Sequence, residues 1–100
     1  MKKILFVCTG NTCRSPMAAA LFNRLAATAG IGYTAASAGL AAAEGSPASI
    51  NAIKAMEGYP GADLSYHASK RLSHADIEEA CLILTMERIH RQYILSMYPE

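Results

Sequence analysis

No run of apolar residues in this sequence reaches the ~20 needed to cross a bilayer as a helix, so a membrane partner is not expected. Charge of one sign is also missing. Nine basic residues face eight acidic ones, the net charge is +1, and the charges are mixed along the chain without a basic stripe. Nucleic acid is therefore not an expected partner. Cysteine is scarce and odd in number, at three. That argues against a secreted disulfide scaffold and for a reducing compartment. The opening Met1–Val7 superficially resembles an export signal, but its apolar run stops at Cys8 and polar residues follow, too short for the apolar core of such a signal. Internal repeats and linkers are absent, and the only biased tract is the short Leu40-Ala41-Ala42-Ala43. The expectation is a single cytoplasmic domain over residues 1–100. Its 52% apolar content excludes disorder. A chain of this size buries about two-thirds of its unfolded surface.

What is present reads as alternating strands and helices. Ile4-Leu5-Phe6-Val7 is a continuous apolar run, the pattern of a strand covered on both faces. Ser15 as N-cap and Pro16 at the first helical position open a helix that runs to about Ala29, where Gly30 and Gly32 end it. Its apolar stripe is expected to be Met17, Leu21, Leu25 and Thr28, with Phe22 beside it. Tyr33–Ser37 is the second strand, and Ala38-Gly39 turns the chain. Ser46 and Pro47 repeat the cap-then-proline pattern, so a second helix is expected over Pro47–Glu57, with Ile50 and Ile53 close together on it. Ala62–Leu72 reads as irregular chain. Ser73-His74-Ala75-Asp76 is a capping-box-like start to a short helix through Glu79. Cys81–Thr85 is a third buried strand. Met86–Met97 is a last helix with Ile89, Tyr93, Ile94 and Met97 on one side, and Tyr98-Pro99-Glu100 follows it. Met17, Met56, Met86 and Met97 read as core filler. The order βαβαβα implies an α/β fold with a parallel sheet and right-handed crossovers. Ligands in such sheets lie beyond the carboxyl ends of the strands, which is where Cys8 falls.

The chemistry is concentrated in eight consecutive residues, Cys8-Thr9-Gly10-Asn11-Thr12-Cys13-Arg14-Ser15, between the first strand and the first helix. The first N–H groups of a helix lack intrahelical partners, and the macrodipole adds about half a positive charge there. A loop with inward-facing N–H groups adds donors in a concave nest. Gly10 tolerates the dihedrals such a loop needs. Arg14 offers a planar fork that matches two phosphate oxygens. A thiol in such a field ionises more readily than a free one. Together these describe an anion site with a nucleophile at its floor. The plainer reading, Cys8 as a small buried hydrophobe and Arg14 as a surface charge, leaves Gly10, Asn11 and Ser15 unexplained.

The stretch Cys8 to Pro16, with Cys-x5-Arg-Ser-Pro spacing after an apolar strand, resembles the phosphate-binding loop of the low-molecular-weight protein phosphatases. The resemblance extends to Ser37-Ala38-Gly39, to Pro47 and Ala52, to His67 with Arg71-Leu72, and to Leu82-Ile83-Leu84-Thr85-Met86, and so covers essentially the whole chain. It implies a three-layer sandwich with a doubly wound parallel sheet in the order 2-1-3. It also implies hydrolysis of a phosphorylated protein in two steps. Cys8 attacks phosphorus and forms a phosphocysteine, which water then hydrolyses. Arg14 and the loop residues Thr9, Gly10, Asn11, Thr12 and Cys13 hold the phosphate oxygens. Ser15 donates to the departing thiolate, and Asn11 pins the loop. No metal or other cofactor is implied.

The chain also departs from the pattern. Cys81 stands where many members have Asp. The family's general acid lies in an Asp-Pro segment after a fourth strand, and no Asp-Pro occurs here. Three strands are therefore expected, with an exposed apolar edge that invites self-association. Loss of a general acid costs ~10²–10⁴-fold, so the alternative is a phosphate-binding fragment or subunit, inactive alone. Asp63 and Asp76 are the candidate replacements, although a solvated loop and a cap suit them better. Thr12 resembles the arginine-phosphatase branch, where tyrosine-directed members carry a bulky aliphatic residue, so phosphoarginine is favoured over phosphotyrosine. Cys13 is either a disulfide partner that shields Cys8 from over-oxidation or a packed thiol under the loop. Cys81 reads as a buried strand residue. Arsenate reductases on this fold use further cysteines after strand three, and none follows Cys81. His74 and His90 read as surface or locally bonded, and His67 is a candidate loop support. Tyr33, Tyr59 and Tyr66 are candidates for the substrate mouth.

Overall fold

The computed structural model describes residues 2–97. Its elements are β1 (Lys2–Cys8), α1 (Arg14–Ala29), β2 (Tyr33–Gly39), α2 (Ile50–Ala55), α3 (His74–Glu79), β3 (Ala80–Thr85) and α4 (Arg88–Met97). The three strands form one parallel sheet in the order β2-β1-β3, as expected. The most apolar strand takes the centre because only there are both faces covered. Ile4, Leu5, Val7 and Cys8 are buried in it. On one face, Leu5 and Val7 pack with Ala38, Leu72 and Ile94, joined by Ile77 of α3 and Ile83 of β3. On the other face Phe6 meets Phe22 of α1, the rings 6.2 Å apart and tilted. A second cluster of Ala48, Ala52, Met56, Ala62 and Leu64 packs against Cys13 and against Met17, Ala20 and Leu21 of α1. No helix among the described residues is long and apolar enough to cross a membrane.

Register places the site. Cys8 pairs with Gly39 and Val7 with both Ala38 and Thr85, so the carboxyl ends of all three strands meet at one edge of the sheet. The Met86 N–H donates to the Val7 carbonyl and extends that edge by one more rung.

Several local expectations are corrected. Ser15 is not an N-cap. Helix α1 starts at Arg14, with Cys13 in the cap position and no side-chain cap, because the Ser15 hydroxyl is held elsewhere in the loop. Helix α2 starts at Ile50 with Ser49 as its cap, not at Pro47, since the Ser49 side chain accepts from the Ala52 N–H. The capping box at Ser73 and Asp76 is formed as read. The apolar stripes differ more. Leu25, Ile50, Ile89, Tyr93 and Met97 are exposed, while Ala19, Ala26 and Ala52 are buried. Helical periodicity identifies a face, but small residues let a helix approach the layer below and are favoured there. Strand β3 is not buried on both faces: Leu82 is 49% and Leu84 40% exposed, and Cys81 is exposed as well. Tyr98, Pro99 and Glu100 lie outside the described residues.

Candidate active site

The turn from β1 to α1 is built by bonds its own residues make. Asn11 takes the left-handed backbone conformation (φ 58°). Gly10, read as tolerating the dihedrals the loop needs, does not have a positive φ. Asn tolerates this region because its short amide bonds locally. That fold-back brings the Asn11 N–H to 3.1 Å from the Cys8 Sγ. The Ser15 Oγ lies 2.8 Å from the same sulfur. Asn11 Nδ2 donates to the Ser15 Oγ at 2.9 Å, which leaves the serine proton to point at the sulfur. Cys8, Asn11 and Ser15 are all buried. Two donors therefore converge on the sulfur of one buried cysteine.

The loop is fastened from outside by residues distant in sequence. The Lys70 N–H donates to Asn11 Oδ1 at 2.8 Å. His67 Nε2 donates to the Asn11 carbonyl at 2.7 Å, the support expected of it. The Ser49 N–H donates to the Thr12 carbonyl. Leu40 and Ala41 donate to the carbonyls of Cys8 and Thr9. Gly39 is required by closeness rather than by turning: a Cβ there would sit 2.6 Å from the Thr9 carbonyl oxygen and 3.0 Å from the Asn11 nitrogen. By contrast, the amides of Gly10, Thr12, Cys13 and Arg14 have no backbone acceptor among the described residues.

Arg14 lies at the rim, its Nη2 2.8 Å from Glu87 Oε2, with both side chains about half exposed. Thr9 Oγ1 is 2.9 Å from Nε2 of buried His90. Sequence reasoning gave neither Glu87 nor His90 a place in the site; His90 was read as surface or locally bonded, and it is buried with a local bond from the Glu87 N–H. The signal available was their place immediately after β3, at the ligand-bearing edge of the sheet.

The two candidate replacement acids are occupied elsewhere. Asp63 is exposed and accepts from the Ser65 hydroxyl and amide, bonds that lower its pKa below the ordinary 3.8. For Asp76, burial acts to raise the pKa, but hydrogen bonds from Lys70 and Ser73 outweigh it and leave the carboxyl lowered. A general acid must hold its proton near the working pH, and both shifts run the other way. Tyr33 lies at the far end of the sheet, beside Lys2. Tyr59 is under the Arg24 guanidinium. Tyr66 is almost fully exposed next to His67. Cys13 packs in the cluster beneath α1, and Cys8, Cys13 and Cys81 are all free thiols. Among the described residues no group of three or more His, Cys, Asp or Glu stands ready to hold a metal ion.

Comparison with known proteins agrees with this geometry. The profile of the family described as low molecular weight phosphotyrosine protein phosphatase matches residues 3–100. A protein-arginine-phosphatase of Bacillus subtilis is 40% identical over 95 residues, which is 95% of this chain and 62% of that protein. The chain thus spans less than two-thirds of that relative's length. The crystal structure of a low molecular weight protein tyrosine phosphatase from T. tengcongensis superposes with a TM-score of 0.94 at 44% identity, covering 100% of this chain and 68% of that one. A cysteine-to-serine mutant of the YwlE arginine phosphatase, with its active-site serine phosphorylated, superposes with a TM-score of 0.89 at 39% identity over 97% of this chain and 62% of that one.

Proposed function

The chain belongs to the low molecular weight phosphotyrosine protein phosphatase family, and from that premise we propose that it is a cysteine-dependent protein phosphatase whose preferred substrate is phosphoarginine in proteins, with phosphotyrosine second. The observation that carries this reading is the Cys8 sulfur beneath the loop, 3.1 Å from the Asn11 nitrogen and 2.8 Å from the Ser15 oxygen. In the first step the Cys8 thiolate attacks phosphorus, the S–P bond forms, and the bond to the leaving nitrogen or oxygen breaks as that atom takes a proton from solvent water. In the second step water attacks phosphorus, the S–P bond breaks and inorganic phosphate leaves. Ser15 then donates to the thiolate that is released. The loop residues Thr9, Gly10, Asn11, Thr12 and Cys13 and the Arg14 guanidinium hold the non-transferring oxygens, where fixed donors stabilise charge without reorganisation.

Preference for phosphoarginine is supported by Thr12, whose hydroxyl suits a guanidinium or a water better than a phenol ring. The names of two of the similar proteins, an arginine phosphatase from Bacillus subtilis and YwlE, point the same way. Leaving-group chemistry agrees: the arginine guanidine is very strongly basic, so the departing group captures a proton readily. A cytoplasmic setting fits a nucleophile that must stay reduced. The open apolar edge of β3 further supports self-association of this chain.

The test is phosphate release from peptides carrying phosphoarginine or phosphotyrosine, by this chain and by Cys8→Ser. Release that disappears in the variant, and is faster from phosphoarginine, supports the reading. Equal rates for the two proteins overturn the activity, and faster release from phosphotyrosine overturns the preference. A trapped phosphocysteine that never turns over replaces the enzyme reading with that of a phosphate-binding subunit.

A further inference from the structure

His90 has a place that the proposed chemistry leaves unused. It is 2% exposed, in the first turn of α4. Its Nδ1 lies 3.1 Å from the Glu87 amide nitrogen. An amide N–H can only donate, so Nδ1 accepts and the neutral ring carries its proton on Nε2. That Nε2–H points at Thr9 Oγ1, 2.9 Å away. The hydroxyl it meets belongs to the first residue after Cys8. Glu87, whose amide orients the ring, holds the Arg14 guanidinium at the other end of the same loop. One helical turn therefore grips the loop at both ends, while the bonds to Asn11 from Lys70 and His67 secure its middle from the other side. Closing a cup of amides on an anion requires the loop's backbone to be held before the anion arrives.

We propose that His90 is a positioning residue for the phosphate loop, donating through Nε2 to the Thr9 hydroxyl so that the first turn of α4 sets the loop in its anion-binding shape. Its action passes through Thr9 and not through the phosphate. The inference rests on the loop being an anion site, and its test separates the two.

The readout is alkylation of Cys8 by iodoacetamide, slowed by inorganic phosphate, which gives the phosphate affinity of the full chain without need of turnover. Three variants are compared. His90→Asn keeps an oxygen able to accept the Glu87 N–H but is too short to reach Thr9. His90→Gln carries an amide nitrogen near the position of Nε2. Thr9→Val removes the hydroxyl without touching α4. The expected result is a threefold to tenfold weaker phosphate affinity for His90→Asn, about the worth of one neutral hydrogen bond. The same loss is expected for Thr9→Val, no further loss in the double variant, and recovery to within about twofold in His90→Gln. Thermal midpoints of His90→Asn and His90→Gln should match each other. Phosphate affinity of His90→Asn within twofold of the unmutated chain overturns the proposal, as does a loss in His90→Gln equal to that in His90→Asn. Should His90→Asn not fold, Thr9→Val decides: unchanged affinity there overturns it. Absence of phosphate protection in the unmutated chain overturns the anion-site reading and this inference with it.

Discussion

At the scale of single residues, Asn11 bears the most. Its backbone occupies a left-handed conformation, its N–H meets the Cys8 sulfur, and its amide joins Ser15 to the Lys70 backbone. Two separate effects can be pulled apart by substitution. Asn11→Gly keeps the backbone at ease but strands the buried groups that bonded the amide, about 1–3 kcal/mol for each. Asn11→Ala strands the same groups and adds the left-handed penalty of about 1 kcal/mol. Urea unfolding should therefore rank the two variants, with alanine about 1 kcal/mol the less stable. Equal midpoints would mean that the loop relaxes its backbone when the amide is lost.

At the scale of elements, two junctions matter. The carboxyl end of β2 lies so close to the loop that Gly39→Ala would press a methyl against the Thr9 carbonyl oxygen, 2.6 Å away, and that atom cannot swing aside. Overpacking of this kind costs about 1–3 kcal/mol. Because the contact can be relieved only by a shift of the loop backbone itself, the variant should also bind inorganic phosphate more weakly, measured by protection of Cys8 from alkylation. A variant as stable and as well protected as the parent would show that β2 and the loop move independently. The second junction is the cap of α3. Asp76 bonds Ser73 and pairs with Lys70, and its carboxyl stays below the ordinary 3.8 in the folded chain. A group lowered on folding contributes stability above its unfolded pKa and loses that contribution as pH falls through the folded value. The unmutated chain should thus lose about 1 kcal/mol, the usual worth of a cap, as pH falls below 4. Asp76→Ala should lack that part of the acid dependence.

At the scale of the whole molecule, the sheet is asymmetric. Among the described residues β2 and β3 are both edge strands, but α1 packs on β2, whereas β3 leaves Leu82 and Leu84 half exposed and has no charge, glycine or proline within Ala80–Thr85. Nothing in that segment discourages pairing with another copy. Light scattering across a dilution series should find self-association, and Leu84→Lys should shift the population toward monomer. A parent chain that stays monomeric at every concentration would sink this prediction.

The division between what was legible in advance and what was not follows the range of the forces involved. The strand run Ile4–Val7, the small polar loop after it, the helix that follows, and the capping box at Ser73 are each written in neighbouring residues, so pattern and local chemistry suffice to read them. The alternation of strands and helices carries the parallel sheet in the same way, and with it the place of Cys8. The capping of α2 by Ser49 rather than Ser46, the burial of helix alanines where Leu25 is exposed, the need for Gly39 to lack a side chain, and the grip of Glu87 and His90 on the loop were not readable. Each depends on which atoms of distant segments come within a few ångströms. Local sequence sets how a segment folds, but only the packed register of β1 between β2 and β3 decides what each segment then touches.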